Sequence, residues 1–519
     1  MHNPFTRRIF FRLMFVALFS LTMMVAFAAL RVQARPASLI VVNPGDSIQA
    51  AIDGANSGDT ILIHAGVYTE SVTLNKAVSL IGDDRAATII AAITQQRALT
   101  ITGASISTTG IISGLTFTQG DAADNGGGVL ITGTARPVLQ NLIVAGNQAG
   151  GSGGGIYAAN GSPVILVDVD VISNTANGTV GTSVGGGGVW AVDVTLSGGR
   201  IENNTSVHSR GGGLYADRTL TLTNTQFISN SAAISGGGAH VISTTTALNG
   251  WFEGNRSNDG GGGGGLRAGQ LIMTDTVFKN NVALNTQAGG GGAIVVNGVS
   301  IATTGAAMVS GGLFEGNVTD HHGGGLVVFG PLAMNGTRFI GNVAQAGGGL
   351  ALERDGGKRV TNTLFARNVA NGRGAGVYVS LTSGRVDLLH TTIASPTLGS
   401  GAGIGIDAGS VGVTNTIVAS YAIGIENVGG AADVDYDLLF ADTLPLSGTI
   451  GGGAHNVNGD PAFVAPAGDD YHLTIGSAAI DHGASVGVPF DLDGRARVGV
   501  PDIGADEFAW SVYLPLLLR

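Results

Sequence analysis

Several groups of residues in this chain carry side chains able to do chemistry. Asp168 and Asp170 lie two apart in the segment VDVDV. An extended backbone turns both carboxylates to one side, the arrangement a glycoside-hydrolysing pair requires. Asp168 also occupies a slot that holds Asn in most other copies of the repeat described below, and a corner residue is the better account of it. Asp320-His321-His322 offers metal ligands, but it lies in a turn with no third ligand in phase, so a solvated corner is favoured. Near the C-terminus, Asp491, Asp493, Asp502, Asp506 and Glu507 surround a DLDG turn. Oxygen ligands of this kind suit calcium, which makes Asp491, Asp493 and Asp502 the candidate metal ligands; a polar closing cap is the alternative. No other cofactor is suggested. For a lyase base the scarcity of lysine leaves Arg200, Arg210, Arg267 and Arg338, and no acidic cluster in the matching positions selects one of them.

A further group emerges only when the chain is aligned on itself. From Ser209 to Gly238 it reads SRGGGLYADRTLTLTNTQFISNSAAISGGG, and most of the chain from Gly126 to Gly405 repeats this plan about every 27 residues. A glycine run is followed by two apolar-x-apolar segments, then an apolar anchor. Val144, Val171, Ile201, Phe227, Phe252, Phe278, Phe314, Phe339 and Phe365 are anchors, and each has Asn three positions on: Asn147, Asn174, Asn204, Asn230, Asn255, Asn281, Asn317, Asn342 and Asn368. The residues pointing outward just after the glycine runs include Tyr157, Trp190, Tyr215, His240 and Arg267 in successive units. Stacked at strand spacing they form an exposed planar strip suited to the apolar faces of sugar rings. The corners Thr175 to Val184 and Asn297 to Ala306 are placed to wall such a groove. Packing on a β surface, or beneath a loop, is the alternative for the same rings.

The elements that hold these residues follow from the repeat. Short period-two runs rich in Val, Leu, Ile and Thr, separated by Gly, Asn, Ser and Asp, are strands and turns. A strand-only unit of this length cannot bury its apolar face alone, but it makes a continuous core when stacked on copies of itself. The expected fold is all-β: a single-stranded right-handed parallel β-helix of about eleven regular coils with irregular ends. A second column, Asn141, Asp168, Asn224, Asn249, Asp275 and Asn362, precedes the anchors by three. Asn tolerates the left-handed backbone of a tight corner and its amide can bond to the copy in the next coil. Glycine suits the opposite corner.

Composition sets further bounds. The chain has 519 residues, longer than a usual single domain, which a solenoid tolerates because each coil packs only on its neighbours. Apolar residues make up 44% and charged residues 12%, so the 88 glycines do not mean disorder. A net charge of −11 argues against nucleic acid and anionic membrane partners. Without cysteine there is no disulfide framework or thiolate site. Arg7, Arg8 and Arg12 precede an apolar run from Leu13 to Leu30, and Val32-Gln33-Ala34 offers a cleavage site. Residues 1–34 are therefore expected to be a signal peptide, and the mature chain extracytoplasmic, secreted or attached to the cell surface. Thr6 to Phe10 also resembles a twin-arginine signal.

The first coil carries a family likeness. Ser47 or Asp46 caps a short helix, SIQAAIDGA, that plugs the open end. IQAAID, GDTILIHAGVYTESVTLNK and SLIGDD together resemble the start of pectin lyase-like right-handed β-helix proteins, a superfamily of pectinesterases, polysaccharide lyases and non-enzymatic surface proteins. The GGG or GGA runs alternating with FxxN resemble the polymorphic outer-membrane protein repeat of bacterial adhesins. Residues 459–508, with Asp460-Pro461, Tyr471-His472-Leu473, Ser477 to Asp481, Asp491 to Gly494 and Asp502 to Ala505, resemble the choice-of-anchor Q module of exported surface proteins. These likenesses bear on fold more than on activity. The segments that carry pectinesterase and polygalacturonase catalysis in that superfamily have no counterpart here.

The expected organisation is a signal peptide (1–34), a β-helix (35–455), an anchor-like module (456–508) and a tail or sorting signal (509–519). The expected function is that of an exported, non-catalytic adhesion or glycan-binding protein, monomeric, with surface-anchoring or export machinery as its other partner. A polysaccharide lyase or glycoside hydrolase, and a structural surface spacer, are the alternatives.

Overall fold

A computed structural model describes residues 37–103, 106, 110–179, 185–258, 261–284, 291–296 and 305–509. The expected signal peptide, most of the C-terminal tail and large parts of both expected groove-walling corners lie outside the described residues. Among the described residues no helix is long and apolar enough to cross a membrane.

The chain winds into a parallel β-helix. Each regular coil contributes one strand to each of three faces: in one coil, 214–216 to face 1, 219–223 to face 2 and 226–228 to face 3. A two-residue strand, Ser231–Ala232, closes the turn and belongs to a ten-stranded ladder of its own. Copies pair in parallel register, so Phe227 lies over Phe252 and Phe252 over Phe278. The solenoid makes about thirteen turns, slightly more than the eleven regular coils the glycine runs imply. Coils at both ends lack the full triplet yet pair on the same faces, as at Gly66–Thr69 and Leu438–Phe440.

The core is a set of ladders. Phe227, Phe252, Phe278, Phe314, Phe339 and Phe365 are fully buried and stack with ring centres 4.6 to 5.3 Å apart. Beside them runs the amide column. In each of its regular steps the Asn side-chain oxygen accepts from the backbone N–H and the amide of the Asn one coil before, as Asn255 does from Asn230 at 3.0 and 2.9 Å. The two Asn columns divide the labour. Those preceding the anchor take the left-handed backbone, with φ 48° at Asn141 and 52° at Asp168 and Asn224. Those following it supply the amide ladder, and the left-handed corner beside them falls one residue earlier, at Ser173, Asn203, Ser229 and Asn280. The glycine triplet makes the remaining corner. Gly211 has φ +63°, and a Cβ on Gly212 would sit 2.3 Å from the carbonyl oxygen of Gly237 in the next coil.

One helix, α1 (Ile48–Gly54), packs at the N-terminal end with Ile48 and Ile52 buried. Ser47 is its N-cap, accepting from the N–H of Ala50. The described part of the C-terminal segment packs on the side of the tube. It lies along the outside of face 3, where Leu364, Ala366, Ala394, Ile417, Ala419 and Leu438 pack against its Tyr471, Leu473, Ala479 and Ile503. Its only regular element among the described residues, besides one 3₁₀ turn, is an antiparallel pair, Phe463–Ala465 with Asp470–Leu473.

His390 is buried at this seam. Its Nε2 accepts from the amide of Asn415, whose other bonds run to Ala484. Burial, and then the charge of Arg497, pull the imidazole down to about 3. The unfolded chain thus binds a proton below pH 6.5 that the folded chain refuses, and stability falls as pH drops through that window. The expected slope is about 1.4 kcal/mol per pH unit between pH 6 and 4. Burial pushes Asp502 up to about 6, which acts in the opposite sense. The test is therefore the difference in denaturation free energy between the native protein and His390→Gln, which should shrink steadily on acidification; a constant difference would refute the assignment.

Candidate functional site

The outward column of face 1 is continuous: Tyr157, Trp190, Tyr215, His240 and Arg267 lie in register, followed by Val295, Val327, Ala351, Tyr378, Gly405 and Glu426. The first rings stack as expected, 4.5 Å from Tyr157 to Trp190, 6.2 Å on to Tyr215 and 5.3 Å on to His240. The expectation that they form an exposed strip needs correction. Trp190 is 6% exposed, Tyr215 and His240 each 3%, and at His240 the residue leading into the glycine triplet, Ser235, lies against the ring. Ser235 bonds His240 Nδ1 at 2.9 Å, and Arg267 Nη1 donates to the carbonyl of Gly261. Burial, then the charges of Arg267 and Arg210, hold His240 neutral. Tyr157 and Arg267 are only partly covered.

Further along the same column the covering gives way to a groove of about 470 Å³, lined by His322, Gln345, Arg373, Tyr378, Asp407 and Glu426 among others. Arg373, in the loop just before the Gly374 corner, stands between two carboxylates. Its Nη1 donates to Asp407 at 2.8 Å and its Nε to Glu426 at 3.1 Å. The Tyr378 hydroxyl donates to the other oxygen of Asp407 at 2.8 Å. His322 Nδ1 lies 2.6 Å from Glu353, and its ring is 5.2 Å from that of Tyr378. Burial, and then the bond to Asp407, push the Tyr378 phenol up to about 12. It keeps its proton at neutral pH and acts as a hydrogen-bond donor, not a base. Two lining carboxylates, Asp407 and Glu426, against the one guanidinium of Arg373 leave the groove short of positive charge. Such a surface accepts hydroxyl donors and repels anions.

The other sequence candidates are placed elsewhere. Asp168 is a corner residue with left-handed backbone, and Asp170 is a buried face-3 carboxylate 3.4 Å from both Arg85 and Arg200, so the two do not act as a pair. Arg338 pairs with Asp493 of the C-terminal module. The expected calcium ligands also have other partners. Asp491 accepts from the N–H groups of Asp493, Arg495 and Glu507, and Asp502 from those of Asp481 and Phe508. These two tie the module's turns together. Only Asp493 faces other side chains, Arg338 and His472. Arg373 and Asp407 escaped the sequence reading because they lie off the traced column, and Glu426 because the column was followed only as far as Gly405. One more step, through a shorter coil without a glycine triplet, reaches Glu426.

Comparison with known proteins agrees with the architecture. A family model described as "Right handed beta helix region" matches residues 90–256, about a third of the chain. No curated protein is similar to it in sequence. Among solved structures, the Azotobacter vinelandii mannuronan C-5 epimerase AlgE6 A-module aligns at 14% identity, covering 80% of this chain and 94% of that one, with a TM-score of 0.24. The chain is a right-handed parallel β-helix protein, and the stretch matched by the family model lies in its N-terminal half.

Proposed function

We propose that this chain is an exported, cell-surface or secreted β-helix that binds neutral glycans, without turning them over, in the groove around Tyr378. The observation that carries this reading is the pair of groove carboxylates, Asp407 and Glu426, both held in place by Arg373. Ordered carboxylates are strong acceptors for paired sugar hydroxyls. Their excess over cationic groups disfavours uronates. The apolar N-terminal run, the adhesin-like repeat and the anchor-like module support export and surface attachment. The long column of buried ladders supports a rigid presenting scaffold, on which adhesion needs no moving part.

A glycan array and titration calorimetry test the proposal. Neutral polysaccharides are expected to be retained and polyuronates not. The double substitution Asp407→Asn and Glu426→Gln should weaken binding by about tenfold or more. Retention of no glycan, or equal affinity in the variant, would sink it. The Tyr378–Asp407 hydrogen bond keeps an enzymatic reading alive, since a phenol on a carboxylate is an acid–base pair. Release of reducing or unsaturated ends from any polysaccharide would replace binding with catalysis.

A further inference from the structure

We propose that His472, Asp493 and Asp506 form a site for one divalent transition-metal ion, of the zinc or manganese class, that clamps the C-terminal module together against the solenoid. The imidazole and the two carboxylates each offer a ligand atom, all within 4.8 Å of one another. They come from three separate stretches of the module: the Asp470–Leu473 strand, the turn after Asp491, and the segment following Ile503. They converge on a small cavity of about 40 Å³ that Leu364 and Thr392 of face 3 also line. That volume suits an ion with a water, not an organic ligand.

The surroundings of the triad are those of a metal site. Nδ1 of His472 is 2.5 Å from Asp470, and Nε2 points to Asp493 at 2.5 Å. A carboxylate behind the imidazole fixes the ring and leaves the other nitrogen for the ion. Arg338 donates to one oxygen of Asp493 and His472 Nε2 meets the other, so an ion would enter by parting that contact; Asp506 accepts from the N–H of Leu473 at 2.8 Å with one oxygen, and Arg495 approaches the other at 3.3 Å. Asp470, Asp493 and Asp506 outnumber these two guanidinium groups, so with a neutral imidazole the cluster is anionic before any ion enters. An independent sign comes from Tyr471. It is 5% exposed and lines the same cavity, and its hydroxyl has no hydrogen-bond partner among the described residues. A metal-bound water would supply one.

The donor set selects the metal. Calcium takes six to eight oxygens, whereas the neighbouring Asp491 and Asp502 give both of their oxygens to backbone amides and Asp506 gives only one. One imidazole with two carboxylates suits zinc or manganese. Because Asp493 also pairs with Arg338 of the solenoid, an ion here joins the module's segments to one another and, through that residue, to face 3.

The test uses the full chain stripped with a chelator and titrated separately with Zn²⁺, Mn²⁺ and Ca²⁺. Expected are one bound Zn²⁺ or Mn²⁺ per chain, a Tm raised by a few degrees at saturating ion, and no competition from calcium. His472→Ala and Asp506→Asn should each weaken binding by about a hundredfold or more, while His455→Ala, at a different histidine–aspartate contact, leaves it unchanged. Should the site variants fail to fold, the Co²⁺-loaded native protein decides: an intense visible absorption band lost on adding Zn²⁺ supports the site. No stoichiometric binding, binding that survives both substitutions, a preference for calcium or a featureless cobalt spectrum would each overturn it.

Discussion

Asn255→Ala is expected to destabilise the solenoid by about 3 to 5 kcal/mol, more than any surface substitution on the same coil. The side chain is fully buried and works in both directions along the column. Its Oδ1 accepts from the backbone N–H and the amide of Asn230, while its Nδ2 donates to the carbonyl of Phe227 at 2.8 Å and to Oδ1 of Asn281 at 2.9 Å. Alanine strands a main-chain N–H, one amide hydrogen and a carbonyl, where neither water nor another side chain replaces the lost partner. Each stranded group costs about 1 to 3 kcal/mol, and shared neighbours keep the sum below simple addition. Asn368, at the end of the ladder, accepts from Asn342 and donates to Phe339 but has no further Asn to bond. Asn368→Ala strands the same three kinds of group, so its cost should be close to that of Asn255→Ala and lower only by the missing bond to a further Asn. Because coils pack only on their neighbours, the damage should be local. Hydrogen exchange is expected to accelerate at the amides of Asn230 and the adjoining coils before the rest of the column. An Asn255→Ala protein that loses less than about 1 kcal/mol in denaturant, with unchanged exchange, would show that the ladder is incidental to stability.

This column was legible in the sequence because a solenoid sets each residue against its own copy. A period in the chain becomes a register in space, so FxxN at constant phase already places Phe278 over Phe252 and Asn281 beside Asn255. The alternation after the glycine run was legible in the same way, and it put Tyr157, Trp190 and Tyr215 in one outward row. It did not show that the row is roofed. Alternation separates the inside of the tube from the outside, but whether a loop crosses the outside depends on the path into the next glycine corner, which has no period. The groove was hidden for a related reason. Arg373, Asp407 and Glu426 come from coils of unequal length, two of them beyond the last regular triplet. The docking of the C-terminal module was beyond reach altogether. Arg367 with Asp469 and Asn362 with Arg497 are separated by more than a hundred residues and repeat nothing.

That docking gives the second large effect. Arg497→Met is expected to cost about 3 to 5 kcal/mol and to release the module while the solenoid stays folded. The guanidinium is only 3% exposed. It pairs with Glu507, itself 9% exposed, at 3.1 Å, and it reaches Asn362 of the solenoid at the same distance. It also donates to the carbonyls of Gly504 and Ala505 at 3.0 and 3.2 Å. Methionine fills similar volume but leaves Glu507 as a buried charge with only the N–H groups of Val498 and Asp502 to hold it. The cost of breaking such a pair lies mainly in the charge left behind, so removing both charges should be gentler than removing one. Arg497→Met combined with Glu507→Gln is thus expected to recover most of the loss. Limited proteolysis reads the outcome: the single variant should be cut between the solenoid and the module under conditions where the native protein and the double variant survive. Equal resistance in all three would mean that the apolar contacts of Tyr471, Leu473, Ala479 and Ile503 with face 3 hold the module unaided. Early cleavage in the single variant alone would identify one buried ion pair as the lock that keeps His390 covered and brings His472, Asp493 and Asp506 together.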